Sequence, residues 1–100
     1  AVFAHDDTMA LGAREAILEE ELEIPKDIAL MGIDNIKIGA LKGIELTSIS
    51  QKKYEMGSMG VKILINRIEE KVPKMVEKVV LDAELIIRKT CGFHMSGYTR

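Results

Sequence analysis

The sequence predicts an α/β domain built on a parallel sheet, and three observations carry that prediction. Residues 28–33 form an apolar run in which no polar residue alternates, as is typical of a strand covered on both faces. An earlier apolar stretch and a helical pattern precede it at the spacing of a strand–helix–strand unit, which closes right-handed with parallel strands. The run then ends abruptly on Asp34 and Asn35. Because ligands bind beyond the carboxyl ends of strands in open α/β sheets, Asp34 is the first candidate ligand contact.

The composition is that of one small globular domain. The chain has 100 residues, of which 47% are hydrophobic and 30% charged. A net charge of −2 offers no basic surface for nucleic acid, so contact with DNA would need another part of the protein. The single cysteine, Cys91, fits a reducing, cytoplasmic location. No apolar run reaches the roughly 18 residues that span a membrane, and no signal-peptide pattern is visible.

Residues 1–4 are predicted to form a short buried strand. Since the chain opens inside a core element and without an initiator Met, we expect it to be the C-terminal part of a longer protein.

A helix follows, for which either Asp6 or Asp7 suits the N-cap and Asp7 is expected to be the cap. Two apolar stripes lie on this helix at helical spacing. One consists of Met9, Ala13, Ala16 and Ile17, and the other of Leu11, Leu18 and Leu22.

One of these stripes must face the sheet. The second is either buried as well or a contact between subunits. Pro25 ends the helical region before the central strand.

Both strands are followed by acidic residues, so Asp6 and Asp34 are expected at the same edge, on neighbouring strands about 5 Å apart. Two carboxylates facing one crevice suit the hydroxyls of a sugar or ribose.

The remaining elements are assigned more briefly. Residues 36–43 read as a short helix or turn, 46–50 as a strand, and 51–71 as a long helix ended by Val72-Pro73. Gly57 and Gly60 each cost roughly 1 kcal/mol in a helix, so we expect close packing against another backbone there. Residues 78–87 read as an extended run and 88–100 as a surface tail.

The sequence carries no recognisable catalytic pattern. It has no phosphate loop, dinucleotide fingerprint or nucleophile elbow, so we predict that the protein is not an enzyme and needs no cofactor. His5, Asp6 and Asp7 leave a strand in different directions, and no second histidine lies at ligand spacing. No metal site is therefore predicted.

Five stretches resemble motifs of the lactose-repressor/galactose-repressor (LacI/GalR) family of transcriptional regulators. They occur in the family's order and spacing over nearly the whole chain, which makes the resemblance specific. Residues 3–12 resemble the family's "NDxMALG" element, 25–28 its "VPxDI" turn, 32–35 its "GFDN" or "GYDD", 46–57 its "LTTIxQPxxxMG", and 84–91 its closing "ELIxRxS/T" strand.

The resemblance implies a periplasmic-binding-protein type I-like fold, in which two α/β lobes close on a small molecule. This chain would be the C-terminal portion of the effector-binding domain. Residues 1–48 would lie mainly in one lobe, 49–80 would cross to and pack in the other, and 81–100 would supply the return strand and tail. Operator DNA would be contacted only through a domain that is absent from this chain.

The resemblance also implies residue roles. Asp34 matches the acidic residue that bonds effector hydroxyls, and Asp6 replaces the family's asparagine, which leaves only acceptors at that position. Lys53 stands where some members use an aromatic ring, and it either contacts an anionic group or is solvated. The family's homodimer contact would involve Leu11, Leu18, Ile38 and Leu41.

Three functions remain open at this point. The first is the ligand-sensing part of a LacI-type regulator that binds a small sugar or nucleobase-like effector. The alternative is a sugar-binding protein of an ABC uptake system, which shares the fold. The third is an enzyme of another α/β class.

Overall fold

The computed structural model describes residues 1–69 and 78–95. The chain divides into two compact units. The first comprises Ala1–Ser50 and the chain from Glu84 onward, and the second is Gln51–Ala83. Among the described residues, no helix combines the length and apolar character needed to cross a membrane.

The first unit is built on a four-stranded sheet in the order β1-β2-β3-β4. The strands are β1 (Val2–Phe3), β2 (Leu30–Ile33), β3 (Thr47–Ser50) and β4 (Glu84–Ile86). Strands β1, β2 and β3 are parallel, with Phe3 level with Met31 and Gly32 level with Ser48, whereas β4 runs antiparallel to β3. The predicted α/β class with a parallel sheet is confirmed, and the sheet carries one antiparallel edge strand.

Helix α1 (Asp7–Glu19) connects β1 to β2 and packs on β2. Its buried apolar residues are Ala10 and Ile17, and Ala10 forms the core with Leu30 and Leu46. The predicted sheet-facing stripe is wrong in part, because Met9 and Ala16 are exposed. The packed side is centred on Ala10, whose small side chain lets the helix approach the strand closely.

Three further expectations for this unit are wrong. The first strand was predicted to be buried, but Val2 and Phe3 are both exposed within the described residues. Only one side of β2 is buried within the described residues, since Leu30 and Gly32 are buried while Met31 and Ile33 are half-buried. The segment after β4 is also no surface tail where the structure describes it. Thr90 is buried, and the Leu30 N–H donates to its carbonyl oxygen at 2.8 Å. Residues 96–100 lie outside the described part.

The second unit contains helix α2 (Lys53–Ile68), and none of its residues is buried by the described part of the chain. A Cβ built at Gly57 or Gly60 would meet no described atom within 4 Å, so the expected close packing there is not found. The predicted helix end at Val72-Pro73 lies outside the described residues. Residues 78–83 are not a strand, so the extended run is shorter than predicted.

Candidate functional site

The carboxyl ends of β1 and β2 bring the two predicted acidic residues to one edge of the sheet. Asp34 directly follows β2, and Asp6 lies three residues beyond Phe3, the last residue of β1. The two strands are parallel neighbours in the sheet. The topology therefore puts Asp6 and Asp34 at the same edge, which is the position that binds ligands in open α/β sheets.

The backbone beyond β2 is unusual and firmly held. Asp34 and Asn35 have φ angles of 110° and 53°, a region that non-glycine residues rarely adopt. Three consecutive N–H groups nevertheless all donate hydrogen bonds. Asp34 donates to the Ile49 carbonyl oxygen at 2.8 Å. Asn35 donates to Ser48 Oγ at 3.0 Å, and Ile36 to Asp7 Oδ2 at 2.9 Å.

Asp6, rather than Asp7, caps α1. The Met9 N–H donates to Asp6 Oδ1 at 2.7 Å, and Asp6 has the extended backbone (φ −149°, ψ 172°) of an N-cap residue. The expectation that Asp7 is the cap is therefore wrong. A carboxylate has about four acceptor positions, so an N-cap aspartate can also accept from a ligand hydroxyl.

Asp7 is the residue that the sequence reasoning missed. Its side chain is 0% exposed. Besides the Ile36 N–H, its carboxylate accepts the Ser48 hydroxyl at Oδ1, at 2.7 Å. Burying a carboxylate is costly unless it is hydrogen-bonded, and here both oxygens accept a bond. Its place in the first turn of α1 adds the favourable field of the helix N-terminus.

Gly32 makes room for this carboxylate. A Cβ at Gly32 would overlap Asp7 Oδ1 and lie 3.2 Å from Ala10 Cβ. Gly39, in the 3₁₀ turn Lys37–Ala40 that follows the loop, also lies nearby, but a Cβ there would be 3.9 Å from Asp7 Oδ2, an ordinary contact distance. A glycine in the middle of a buried strand was the sequence signal for a close approach at this point.

Arg88 reaches the same loop from the segment after β4. Its Nη2 donates to Asn35 Oδ1 at 2.7 Å, and its Nη1 donates to the Leu46 carbonyl oxygen at 2.8 Å. The sequence reasoning used Arg88 only as part of a motif and did not foresee this contact. The Asn35 side chain and backbone are thus both held, and Asp34 stands beside them as a half-buried carboxylate.

The other predicted site residues lie elsewhere. Lys53 is exposed and is the first residue of α2, in the second unit. Leu11 is half-buried, whereas Leu18, Ile38 and Leu41 are exposed apolar side chains at 43%, 48% and 56%. Within the described ranges, no group of three His, Cys, Asp or Glu side chains is placed to hold a metal ion.

The arrangement is suited to binding. A half-buried carboxylate on an immobilised loop, with a second carboxylate at the neighbouring strand end, presents acceptors to a ligand that donates hydroxyl or N–H groups. Because the loop is already fixed, little conformational entropy would be lost when such a ligand binds.

Comparison with known proteins identifies the family. Residues 1–91 match the family model described as a periplasmic binding protein-like domain. The transcriptional repressor PurR of Pasteurella multocida is 42% identical over 92 residues, which cover 90% of this chain and 27% of that protein. A LacI-family transcriptional regulator of Enterococcus faecium, solved with bound ribose, has a TM-score of 0.76 and 31% identity over 89% of this chain and 33% of that one.

The lac repressor dimer bound to operator and the anti-inducer ONPF is a further structural neighbour. Its TM-score is 0.76 at 30% identity, over 88% of this chain and 30% of that one. The chain spans 27% of the length of the PurR relative, so the comparison covers one part of such proteins. On these matches and on the five motifs that run along it in order, the chain belongs to the periplasmic binding protein-like domain family, in its LacI/GalR branch.

Proposed function

We propose that this chain is the ligand-sensing part of a LacI-type transcriptional regulator, and that Asp34 binds a small sugar or nucleobase-like effector. The observation that carries the proposal is the loop after β2. Asp34 and Asn35 hold positive φ angles while the N–H groups of residues 34–36 are all hydrogen-bonded. Such a backbone persists only where its surroundings over-determine it, which is common at ligand sites.

The chemistry of the edge favours a ligand rich in donors. The carboxylates of Asp34 and Asp6 accept hydrogen bonds, and bonds to a charged acceptor are about twice as strong as those between neutral groups. We assign Asp34 the main contact and Asp6 a second one, in addition to its capping bond.

The relatives support this choice of effector and of function. One solved neighbour is a LacI-family regulator with bound ribose, and PurR is named as a transcriptional repressor. These are regulators, which favours a regulatory protein over the uptake protein that shares the fold. A regulator of this kind would work in the cytoplasm, and it would reach operator DNA through a domain outside this chain.

The response to the effector would follow from differential affinity. An effector shifts the equilibrium between two arrangements of the regulator only as far as it binds one of them more tightly. In a dimer, that shift would alter the spacing of the two DNA-binding heads. No chemical step is required of any residue at this edge.

Calorimetric titration of the intact regulator tests the assignment of Asp34. The ligands are D-ribose, cellobiose, lactose, adenine and guanine. We expect Asp34→Asn to lower the affinity for the ligand that binds by about tenfold or more, because a charge-assisted hydrogen bond is lost. Asparagine also tolerates positive φ, so the loop keeps its form. Unchanged affinity would contradict the assignment.

Asp27→Asn is the matched control for that experiment. Asp27 precedes β2, at the opposite end of the same strand, and its Oδ2 accepts the Glu23 N–H at 2.7 Å. An asparagine oxygen can accept the same bond, so this variant removes one charge without disturbing the carboxyl edge. Its affinity should equal that of the wild type.

A dimer contact is the second part of the proposal. Leu18 lines a cavity of about 150 Å³ with Gly43 and Ile44, so this flank of α1 lies beside the segment that carries Leu41. Leu18 and Leu41 are exposed apolar side chains on these two elements, and contiguous exposed apolar surface marks sites where proteins associate. The lac repressor neighbour is a dimer.

Sedimentation of charged variants tests the contact. We expect Leu18→Glu and Leu41→Glu to shift the intact protein from dimer towards monomer, because a carboxylate would be buried at the interface. Met9→Glu is the control, since Met9 is 59% exposed on the opposite flank of α1. A dimer that survives both leucine variants would contradict this part of the proposal.

A further inference from the structure

We propose that Asp7 is the positioning residue of the ligand-binding edge. It touches no ligand itself, and it holds the loop of residues 34–36 in the form that presents Asp34. This inference rests on the proposed function of that edge. It says that a buried carboxylate of α1 holds the ligand-binding loop, which follows β2.

The contacts run from α1 to the loop by two routes. Asp7 Oδ2 accepts the Ile36 N–H directly, at 2.9 Å. Asp7 Oδ1 accepts the Ser48 hydroxyl at 2.7 Å, and Ser48 Oγ in turn accepts the Asn35 N–H at 3.0 Å. One carboxylate thereby holds two consecutive N–H groups of the loop by hydrogen bonds, Ile36 directly and Asn35 through the Ser48 hydroxyl on β3.

Burial makes these bonds consequential. Asp7 and Ser48 are both 0% exposed, so water cannot reach either side chain to replace a bond that it loses. A buried polar group left without its partner costs about 1–3 kcal/mol, whereas a typical intact hydrogen bond contributes about 0.5–1.5 kcal/mol net. The loop and the pair therefore depend on each other.

The loop needs this support because of its backbone. Residues held in sparsely populated φ/ψ regions cost about 1–3 kcal/mol each, and Asp34 and Asn35 are two in succession. If the acceptors of Asn35 and Ile36 are removed, the backbone can relax towards ordinary negative φ. Asp34 would then leave the position in which it meets the ligand.

We call the hydrogen bonds that join Asp7 and Ser48 to the Asn35 and Ile36 N–H groups the relay. Two variants break it at different points. Asp7→Asn keeps the shape of the side chain, but its NH2 group takes the place of one carboxylate oxygen and cannot accept there, so either the Ile36 N–H or the Ser48 hydroxyl loses its acceptor. Ser48→Ala removes the acceptor of the Asn35 N–H. Ile17→Ala is the control, because Ile17 is buried on α1 but makes no contact in the relay, so it lowers stability alone.

Two measurements on the intact protein test the proposal. Hydrogen exchange without ligand is followed at the Asn35 and Ile36 amides, relative to the Leu30 and Thr47 amides. We expect this ratio to rise about tenfold in Asp7→Asn and Ser48→Ala and to stay constant in Ile17→Ala. Calorimetry with whichever of D-ribose, cellobiose, lactose, adenine or guanine the wild type binds should show affinity reduced about tenfold in both relay variants.

The double variant tests the route through Ser48. Because Asp7 acts on the Asn35 N–H only through the Ser48 hydroxyl, Asp7→Asn combined with Ser48→Ala should lose less affinity than the product of the two single losses. Fully multiplied losses would contradict the route through Ser48. An unchanged exchange ratio at residues 35 and 36 would overturn the proposal.

The results also distinguish this inference from the proposed function. If the wild type binds none of the five ligands, the proposed function and the inference that rests on it both fail. If the wild type binds one and Asp34→Asn abolishes binding, while Asp7→Asn and Ser48→Ala bind normally, the inference alone is overturned.

Discussion

Side-chain hydrogen bonds hold both ends of the parallel sheet, joining two strands at one end and fixing a loop at the other. At the amino end, Thr90 Oγ1 donates to the Leu30 carbonyl oxygen at 2.7 Å and accepts the Thr47 N–H at 2.9 Å. At the carboxyl end, Asp7 and Ser48 hold the loop that follows β2. The two Thr90 bonds and the Ser48–Asp7 bond are buried, whereas the bonds from the Asn35 and Ile36 N–H groups are part-buried. No buried side-chain N or O atom of the described residues lacks a hydrogen-bond partner.

The difference lies in what each set holds. Thr90 joins β2 to β3 where both strands begin, because its hydroxyl bridges the Leu30 carbonyl oxygen and the Thr47 N–H. Asp7 and Ser48 instead hold a backbone whose φ angles are unfavourable. Loss of the amino-end bonds should therefore change stability alone, whereas loss of the carboxyl-end bonds should change both stability and ligand affinity.

The largest effect is expected for Gly32→Ala. The new Cβ would overlap Asp7 Oδ1 and crowd Ala10, so the carboxylate must move and release its partners. Overpacking combined with lost buried bonds should lower the free energy of unfolding by about 3 kcal/mol or more. Urea unfolding measures this loss, and calorimetry should show a parallel loss of affinity.

Gly12→Ala is the matched control for that variant. Gly12 lies in α1, where no described atom would lie within 4 Å of a new Cβ. Alanine is the better helix former, so we expect a gain of about 0.5–1 kcal/mol and no change in affinity. Equal losses from both substitutions would show that contact with Asp7 is not what matters at Gly32.

Thr90→Val should come next in size. It keeps the shape of the side chain but leaves the Leu30 carbonyl and the Thr47 N–H without their partner. We expect about 2 kcal/mol of destabilisation in urea unfolding. Affinity measured on the folded protein should stay at the wild-type value, and a loss as large as that of Ser48→Ala would remove the distinction between the two ends.

Asp6 gives a smaller effect. Asp6→Ala removes the N-cap of α1 and should cost about 1 kcal/mol in thermal or urea unfolding. Asp6→Asn keeps an acceptor for the Met9 N–H and should cost almost nothing. Asp7→Asn, by contrast, should destabilise clearly, so the same substitution should have different effects at the two neighbouring aspartates.

The smallest effect is expected for Lys89→Ala, next to Thr90. The Lys89 ammonium lies 3.3 Å from Glu45, but its side chain is 70% exposed. Exposed ion pairs of this kind contribute about 0–0.5 kcal/mol, since water and salt screen them. A loss in urea unfolding as large as that of Thr90→Val would mean that the pair, and not the buried hydroxyl, holds the amino end.

The class of the fold and the position of Asp34 followed from local pattern. A continuous apolar run that stops on a carboxylate is enough to predict a strand and to place its carboxyl end. Asp7 could not be found in this way, because Asp6 and Asp7 suit the N-cap equally well. The choice between them depends on the extended backbone with which the chain leaves β1.

Thr90 was missed for a different reason. Its partner Leu30 is 60 positions away in the chain, and Thr47 is 43 positions away. A stretch with Gly92 and mixed polarity looks like a surface segment unless those partners are known. The sheet-facing side of α1 was predicted wrongly for a related reason. Hydrophobic periodicity favours the large Met9, whereas the helix packs so closely on Gly32 and Leu30 that the small Ala10 is the residue that fits there.

Hydrogen exchange of the intact wild type with and without bound ligand tests the central claim most directly. If the carboxyl end is the ligand site, whichever of D-ribose, cellobiose, lactose, adenine or guanine binds should slow hydrogen exchange at the Asp34, Asn35 and Ile36 amides. Exchange at the Leu30 and Thr47 amides, at the amino end, should not change. Protection that appears at the amino end, or at neither end while the ligand is bound, would contradict the account.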